Sequence, residues 1–397
     1  MAKHPPKVKL NPELLTWAIS ASGYKHEYIA SKLGIEALEL ASWESGEDSP
    51  TFAQLEDFAR LLSRPLAAFF LPSPPEEPAR PRDFRLMAGR PPGEYDPDTL
   101  LAFRRARNLQ AAAVDLARIL GVELAFRLPR ITTRDDPEPK AAEIRQLLSV
   151  NVAEQRGWRD SGVALHTWRS ALFDVGVLVF QLPIPLSDAR GFCMMEEGVA
   201  TIAVSTKDSV EARIFSLFHD LCHLCLRAPG VSGTGISPEL GDTREARVEE
   251  FCDRFAAGLL VPLSSEWVCG QLDSAASSLP DETETVRLAR ELKVSRYVVL
   301  RRMLDTGRVG NALYWDLFNK WQELGRIASA KKKAAGGPHV VDRSLSERGR
   351  RVASLVLEAY DSGRISAHEA GQYLSLGPKW LDRARENLFL DTASGQA

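Results

Sequence analysis

His219 and His223 stand four apart in FSLFHDLCHLCL (215–226), an apolar run in which Asp220 directly follows the first histidine. On a helix, side chains at i and i+4 share one face, so the two imidazoles can present nitrogens to a single ion. Zinc takes nitrogen donors at about 2.0–2.1 Å, and a hydrolytic zinc has three protein ligands and a fourth position open to water. The spacing is one residue type away from H-E-x-x-H, whose glutamate is a general base. Here Asp220 occupies that place.

A third ligand has to come from another element. The stretch RVEEFCDRFAAGLLVP (247–262) reads as a helix with a buried stripe of Phe251, Phe255, Leu259 and Leu260, and it offers two carboxylates, Glu249 and Glu250. Between the two helices, RAPGVSGTGISPELGD (227–242) is rich in Gly, Pro and Ser, so the helices can fold back on one another. A rival site uses the C-x-x-C formed by Cys222 and Cys225 with one of the histidines. A closed four-ligand zinc site draws on two separated pairs, however, and the chain has no second C-x-x-C. Cysteines in apolar helices also serve simply as small core residues.

Several elements must position these groups. VGVLVFQLPI (175–184) reads as a strand, and RGFCMMEEGVATIAVS (190–205) as two strands turning at Glu197-Gly198, so a small sheet precedes the histidine helix. DTLLAFRRARNLQAAAVDLARIL (98–120) and AAEIRQLLSV (141–150) have helical periodicity and serve as scaffold. TVRLARELKVSRYVVLRRML (285–304) reads as helix, turn, helix; Arg301 or Arg302 could reach the metal cleft, or both could lie on a solvated face. His166 and His368 fall in separate helical segments and read as surface or core histidines, and FRRAR (103–107) as a solvated basic stretch.

The expected fold class is α+β and mostly helical. Its parts are an N-terminal helical domain (1–71), a Pro-rich linker (72–96), an α+β domain with a small sheet (97–330) and a helical C-terminal domain (339–397). The stretch KKKAAGGP (331–338) would be a solvated linker ahead of the last part. At 397 residues, 44% of them hydrophobic, the chain is long enough for two or three cores. Its start lacks the apolar core of a signal peptide and no window is a membrane span, so the expected place is the cytoplasm, with no membrane partner. Five cysteines confined to residues 193–269 fit reduced thiols. A net charge of −3 gives no overall pull toward nucleic acid.

Within 11–71, helices at 29–33 and 37–43 flank a turn at Gly34, and a third starts after Ser49-Pro50-Thr51 and runs from Phe52 to Leu62, the pattern of a helix-turn-helix. Such a dimer reads DNA with help from phosphate contacts. From Glu27 to Arg60, however, there are eight acidic residues and two basic ones, a balance of −6. Either lysines 3, 7, 9 and 25 form a compensating arm, or the domain docks a protein instead.

Taken together, these motifs resemble the ImmA/IrrE-type metallopeptidases that carry an N-terminal helix-turn-helix domain of the XRE repressor type. The resemblance covers most of the chain. It rests on WESGEDSPTFAQLEDFARLLSRPLAAFFLP, PRDFR (81–85), GVLVFQ with RGFCM, FSLFHDLCHLCL, VEEFCDRFAAGLLVP and LARELKVSRYVVLRRM, in that order. It implies a zincin-like domain in which His219, His223 and a downstream glutamate bind Zn2+, with Mn2+ as the second choice of ion. It selects Glu249 over Glu250, because the family's glutamate lies four residues before an Asn or Asp, here Asp253, and six before Phe-Ala, here Phe255-Ala256. It further implies an endopeptidase that cleaves a transcriptional repressor or antitoxin-like partner and thereby controls stress, phage-defence or mobile-element genes; DNA, through the N-terminal domain, and a second copy of the chain are further expected partners.

Asp220 is the departure from that pattern. Its side chain is shorter than glutamate by one C–C bond, about 1.5 Å, and a displacement of about 1 Å in a catalytic group can cost on the order of 10²-fold. Either the helices bring Asp220 within reach of the water, or the protein binds metal with little turnover and acts as a DNA- or protein-binding regulator.

Overall fold

A computed structural model describes residues 6–77, 82–83, 95–228, 230–232, 243–331 and 339–394. The chain divides into two compact units, Met1–Arg80 with Gly93–Asn108, and Pro81–Pro92 with Leu109–Ala397. No helix among the described residues is long and apolar enough to cross a membrane.

The first unit contains α1 (Pro12–Ser22), α2 (His26–Leu33), α3 (Ala37–Ser45), α4 (Phe52–Leu61) and a 3-10 turn at Leu66–Phe70. Gly23, Gly34 and Gly46 end the first three helices in the left-handed conformation that glycine adopts at least cost. α4 opens on a capping box: Thr51 accepts from Gln54 N, and the Gln54 side chain accepts from Thr51 N. Leu14, Ile29, Leu40, Trp43, Leu55 and Phe58 form the core, which Phe69 closes edge-on to Phe58 at 5.5 Å. The start of α5 (Pro97–Leu120) belongs here as well: Arg104 donates to Ala21 O and Leu62 O, and Tyr24 Oη donates to Asp98 at 2.6 Å. Lys7 is ion-paired with Asp48 across the unit. Of the lysines read as a compensating arm, Lys3 lies outside the described residues.

The second unit is α+β. Its sheet has the order β1-β5-β3-β4-β2, from β1 (Arg82–Asp83), β2 (Val177–Leu182), β3 (Gly191–Glu196), β4 (Val199–Ser205) and β5 (Gly230–Ser232). β3 and β4 form the expected hairpin, Glu196 opposite Val199, with Glu197 and Gly198 at φ 50° and 79°. Both turn residues have positive φ, as a two-residue turn matched to strand twist requires. β2 runs parallel to β4 and is buried along its whole length, which explains its unbroken apolar run.

The remaining helices are α6 (Pro137–Leu147), α7 (Val152–Gly157), α8 (Ser161–Asp174), α9 (Val210–Cys225), α10 (Arg244–Leu260), α11 (Glu266–Ser278), α12 (Thr283–Glu291), α13 (Arg296–Asp305), α14 (Asn311–Lys331), α15 (Val340–Arg348), α16 (Arg350–Asp361), α17 (Ala367–Leu374) and α18 (Leu381–Ser394). Helices α15 to α18 fall within the second unit, where Val341, Leu345 and Val356 share a core with Leu116. The stretch read as a linker, 331–338, lies outside the described residues apart from Lys331, the last residue of α14. PRDFR is described only at Arg82 and Asp83, and RAPGVSGTGISPELGD only at its first two residues and at 230–232.

α9 packs against β3, β4, α8 and α10, so every residue from Ser216 to Cys225 is buried. Trp168 of α8 stands edge-on to Phe218 of α9 at 4.8 Å and to Trp158 at 5.4 Å. Truncating a buried aromatic of this kind costs about 3–5 kcal/mol. α10 is fixed at its far end, where Arg145 donates to Leu259 O at 2.6 Å, Gln155 to Leu260 O at 3.2 Å and Arg302 to Val261 O at 2.9 Å. These bonds satisfy carbonyls that a helix terminus leaves without partners.

Candidate metal centre

Ser209 caps α9 by accepting from Ala212 N, and Thr243 caps α10 by accepting from Ala246 N. The two helices pack on each other and turn His219 and His223 toward Glu249, Cys252 and Asp253. The three α10 residues fall at i, i+3 and i+4, one helical face. Glu250, one position on, is exposed and lines a surface groove with Arg247 and Arg254.

His219 Nε2 lies 3.2 Å from His223 Nε2 and 3.3 Å from Glu249 Oε2, and His223 Nε2 lies 3.0 Å from Glu249 Oε1. Four ligands placed tetrahedrally at about 2.0–2.1 Å from zinc would stand about 3.3 Å apart. The two Nε2 atoms already have the spacing of two corners of such a tetrahedron, one Glu249 oxygen lies beside each, and two imidazoles with a carboxylate suit a divalent ion. All three side chains are buried, with Glu249 4% exposed.

The protonation balance points the same way. Burial acts to lower the His219 pKa, but the charges of Glu249 and Asp253 outweigh it and raise it well above the usual histidine range. Burial likewise opposes protonation of His223, and Cys252 and Glu249 override it. Burial would raise Glu249, yet the two imidazoles hold it down at about 2. A carboxylate kept ionised in so dry a place needs positive charge beside it, which protons or a metal ion can supply.

Behind the donors, Asp253 Oδ1 lies 2.8 Å from His219 Nδ1. A carboxylate there fixes the tautomer and leaves Nε2 as the donor atom. Arg301 of α13 stands 3.8 Å from the other Asp253 oxygen and donates to Asp305 at 2.9 Å. Arg301 thus supports the Asp253 carboxylate, and Arg302, 2% exposed, is engaged with Val261 O and Glu138.

Sequence reasoning used Asp253 only as a landmark; its position four after Glu249 was the available signal. It also passed over Cys252, whose sulfur groups with the two histidines within 4.8 Å. Glu249 pairs with both Nε2 atoms, while burial, and then Cys222, raise the Cys252 thiol pKa well above its usual value. Among the described residues, neither Cys222 nor Cys225 falls in that group.

Asp220 is fully buried and faces the sheet. A Cβ added to Gly191 of β3 would stand 2.6 Å from Asp220 Oδ2. The absence of a side chain at 191 is what gives this carboxylate its room.

Residues 174–304 match the family model for the Peptidase M78 IrrE N-terminal-like domain. The matched segment contains β2 to β4, α9, α10 and α13 up to Leu304, and so His219, Asp220, His223, Glu249, Cys252, Asp253 and Arg301. It supports an ImmA/IrrE-type metallopeptidase over that part of the chain, and hence a metallopeptidase-like function. No curated protein matches the chain.

Proposed function

We propose that His219, His223 and Glu249 hold a zinc ion and that the chain is a metallo-endopeptidase acting on a protein substrate, a transcriptional repressor by the family resemblance. The observation that carries this reading is the convergence of two imidazole Nε2 atoms, 3.2 Å apart, on the two oxygens of one carboxylate at 3.0 and 3.3 Å, with Asp253 orienting His219 from behind. A zinc ion there would polarise the scissile carbonyl and make water more acidic. Asp253 keeps the His219 ring in one orientation, and Glu249 lends the site its negative charge. Asp220 is the base: it takes a proton from the attacking water as the C–O bond forms and returns it to the amine nitrogen as the C–N bond breaks.

A second reading, metal binding with little turnover, draws on the short, fully buried side chain of Asp220 against Gly191. The two separate on one experiment. The purified chain is incubated with any repressor found to be co-encoded with it, with zinc or manganese and with a chelator. Metal-dependent cleavage that the chelator abolishes supports the peptidase; bound metal without cleavage supports the second reading.

For the first unit we favour docking of a protein over DNA. Leu38 of α3 is 82% exposed, Glu36 and Glu39 flank it, and Lys7 is engaged by Asp48. A salt-dependent mobility shift with duplex DNA at low ionic strength would overturn this assignment.

A further inference from the structure

A cavity of about 430 Å³ lies among α8, β2, α15, α16 and α18, and no part of the reading above uses it. Its wall includes His166, Arg169, Gln181, Asp342, Arg350 and Asn387. Arg169 is only 9% exposed. It donates to Ser346 O at 2.8 Å, to Val179 O at 2.6 Å and to Glu347 O at 3.5 Å, while its Nε has no hydrogen-bond partner. Every one of these acceptors is a backbone carbonyl, so no carboxylate of the described residues pairs with this guanidinium. Burial, and then the charge of Arg213, bring its pKa down to about 9.

More positive character gathers at the same place. Arg350, the first residue of α16, donates to Asn387 O at 3.1 Å, and burial lowers its pKa. The N-cap of α16 is Gly349, which has no side chain to accept from the first-turn N–H groups. The Arg169 guanidinium sits against that helix end, for a Cβ on Gly349 would stand 2.7 Å from Arg169 Nη2. His166 stays neutral near pH 7, since burial, then Arg350 and Arg169, bring its pKa down to about 4, so it retains one ring N–H to donate. The carboxylate in the wall, Asp342, accepts from Asn387 Nδ2 at 2.9 Å.

Holding a cation out of water costs several kcal/mol. The C-terminal carbonyls of α15 offset part of that, with a field equivalent to about half a charge. An anion in the cavity would offset the rest. We propose that this cavity is a binding site for a phosphate group, free or as the phosphoryl end of a small ester, held by Arg169, Arg350, His166 and the first-turn N–H groups of α16. Guanidinium and helix N-terminus are the two protein groups that best match phosphate oxygens. A tetrahedral oxyanion can take donors from α8 and α16 at once, whereas a planar carboxylate offers acceptors in one plane.

The test uses the full chain stripped of metal by chelator, so that no phosphate is held through an ion at the histidines. Inorganic phosphate and glycerol 3-phosphate are titrated separately by calorimetry, with chloride at matched ionic strength as control. Saturable binding of either is expected, weakened by about tenfold or more in Arg350→Gln and Arg169→Gln, the loss of a charge-assisted hydrogen bond. Tighter binding of the ester assigns the site to a phosphorylated metabolite, and equal or tighter binding of phosphate assigns it to the free ion. If Arg169→Gln does not fold, Arg350→Gln and His166→Phe decide. No saturable binding beyond the chloride control, or undiminished binding by Arg350→Gln, would overturn the proposal.

Discussion

Asp253 on α10 stands 2.8 Å from His219 Nδ1, so a carboxylate one helical turn beyond Glu249 determines which ring nitrogen faces the donor cluster. Partners of this kind are worth about 10–100-fold in metal affinity. Asp253→Ala should release metal to a competing chelator that much more readily while the fold, followed by circular dichroism, is retained. Retention equal to the parent's would remove Asp253 from the site.

Glu249 and Glu250 are adjacent in sequence, yet Glu249 is buried and Glu250 exposed. Glu249→Ala is expected to leave the purified protein with little bound metal, and Glu250→Ala to leave the content unchanged. Elemental analysis of the two variants decides, and equal losses would count against Glu249 as ligand.

Asp220→Ala should keep the metal and lose hydrolysis by about 10²-fold or more. Asp220→Glu restores the longer side chain and should raise the rate. Gly191→Ala places a Cβ 2.6 Å from Asp220 Oδ2, and should lower the rate without lowering metal content. Cleavage by Asp220→Ala at the parent rate would show that another group is the base.

Much of this centre was legible in the sequence because its signals are local. Two histidines at i,i+4, and glutamate with aspartate at i,i+4 on the next helix, declare faces before any fold is known. The hairpin was equally plain, since Glu197-Gly198 separates the apolar run GFCMM from the β-branched run VATIAV. What could not be read was contact between distant segments. Nothing near Gly191 announces that it leaves room for Asp220, nor near Arg169 that it meets the end of α15. The start of α5 reads as scaffold for the domain that follows, yet Arg104 docks it onto Ala21 and Leu62.

His166 makes stability depend on pH. Its folded pKa is depressed to about 4 from an ordinary value near 6.5, so between those limits the unfolded chain binds a proton that the folded chain refuses. Stability therefore rises with pH across about 4 to 6.5 and is lost as pH falls through that window, by on the order of 2 kcal/mol once residual solvent is allowed for. Denaturant melts in phosphate-free buffer should show this slope, and His166→Gln should flatten it. An unchanged slope would mean that another group sets it.

Gly349 joins α15 to α16 at φ 83° and ψ 149°, a region open almost only to glycine. Gly349→Ala adds strain of about 1–3 kcal/mol and also crowds Arg169, so its midpoint in urea should fall by at least that equivalent. A midpoint matching the parent's would show that the junction can relax.

The three polar ties at the end of α10, from Arg145, Gln155 and Arg302, set the axial register of the helix that carries Glu249. Sliding a helix by one residue moves it about 1.5 Å, enough to take a carboxylate out of a coordination sphere. Leu259 is ten residues from Glu249, about 15 Å along the axis. A conservative change at Arg145 should thus detune the ion's binding from that distance, as loosening a tuning peg flattens a string plucked at its other end.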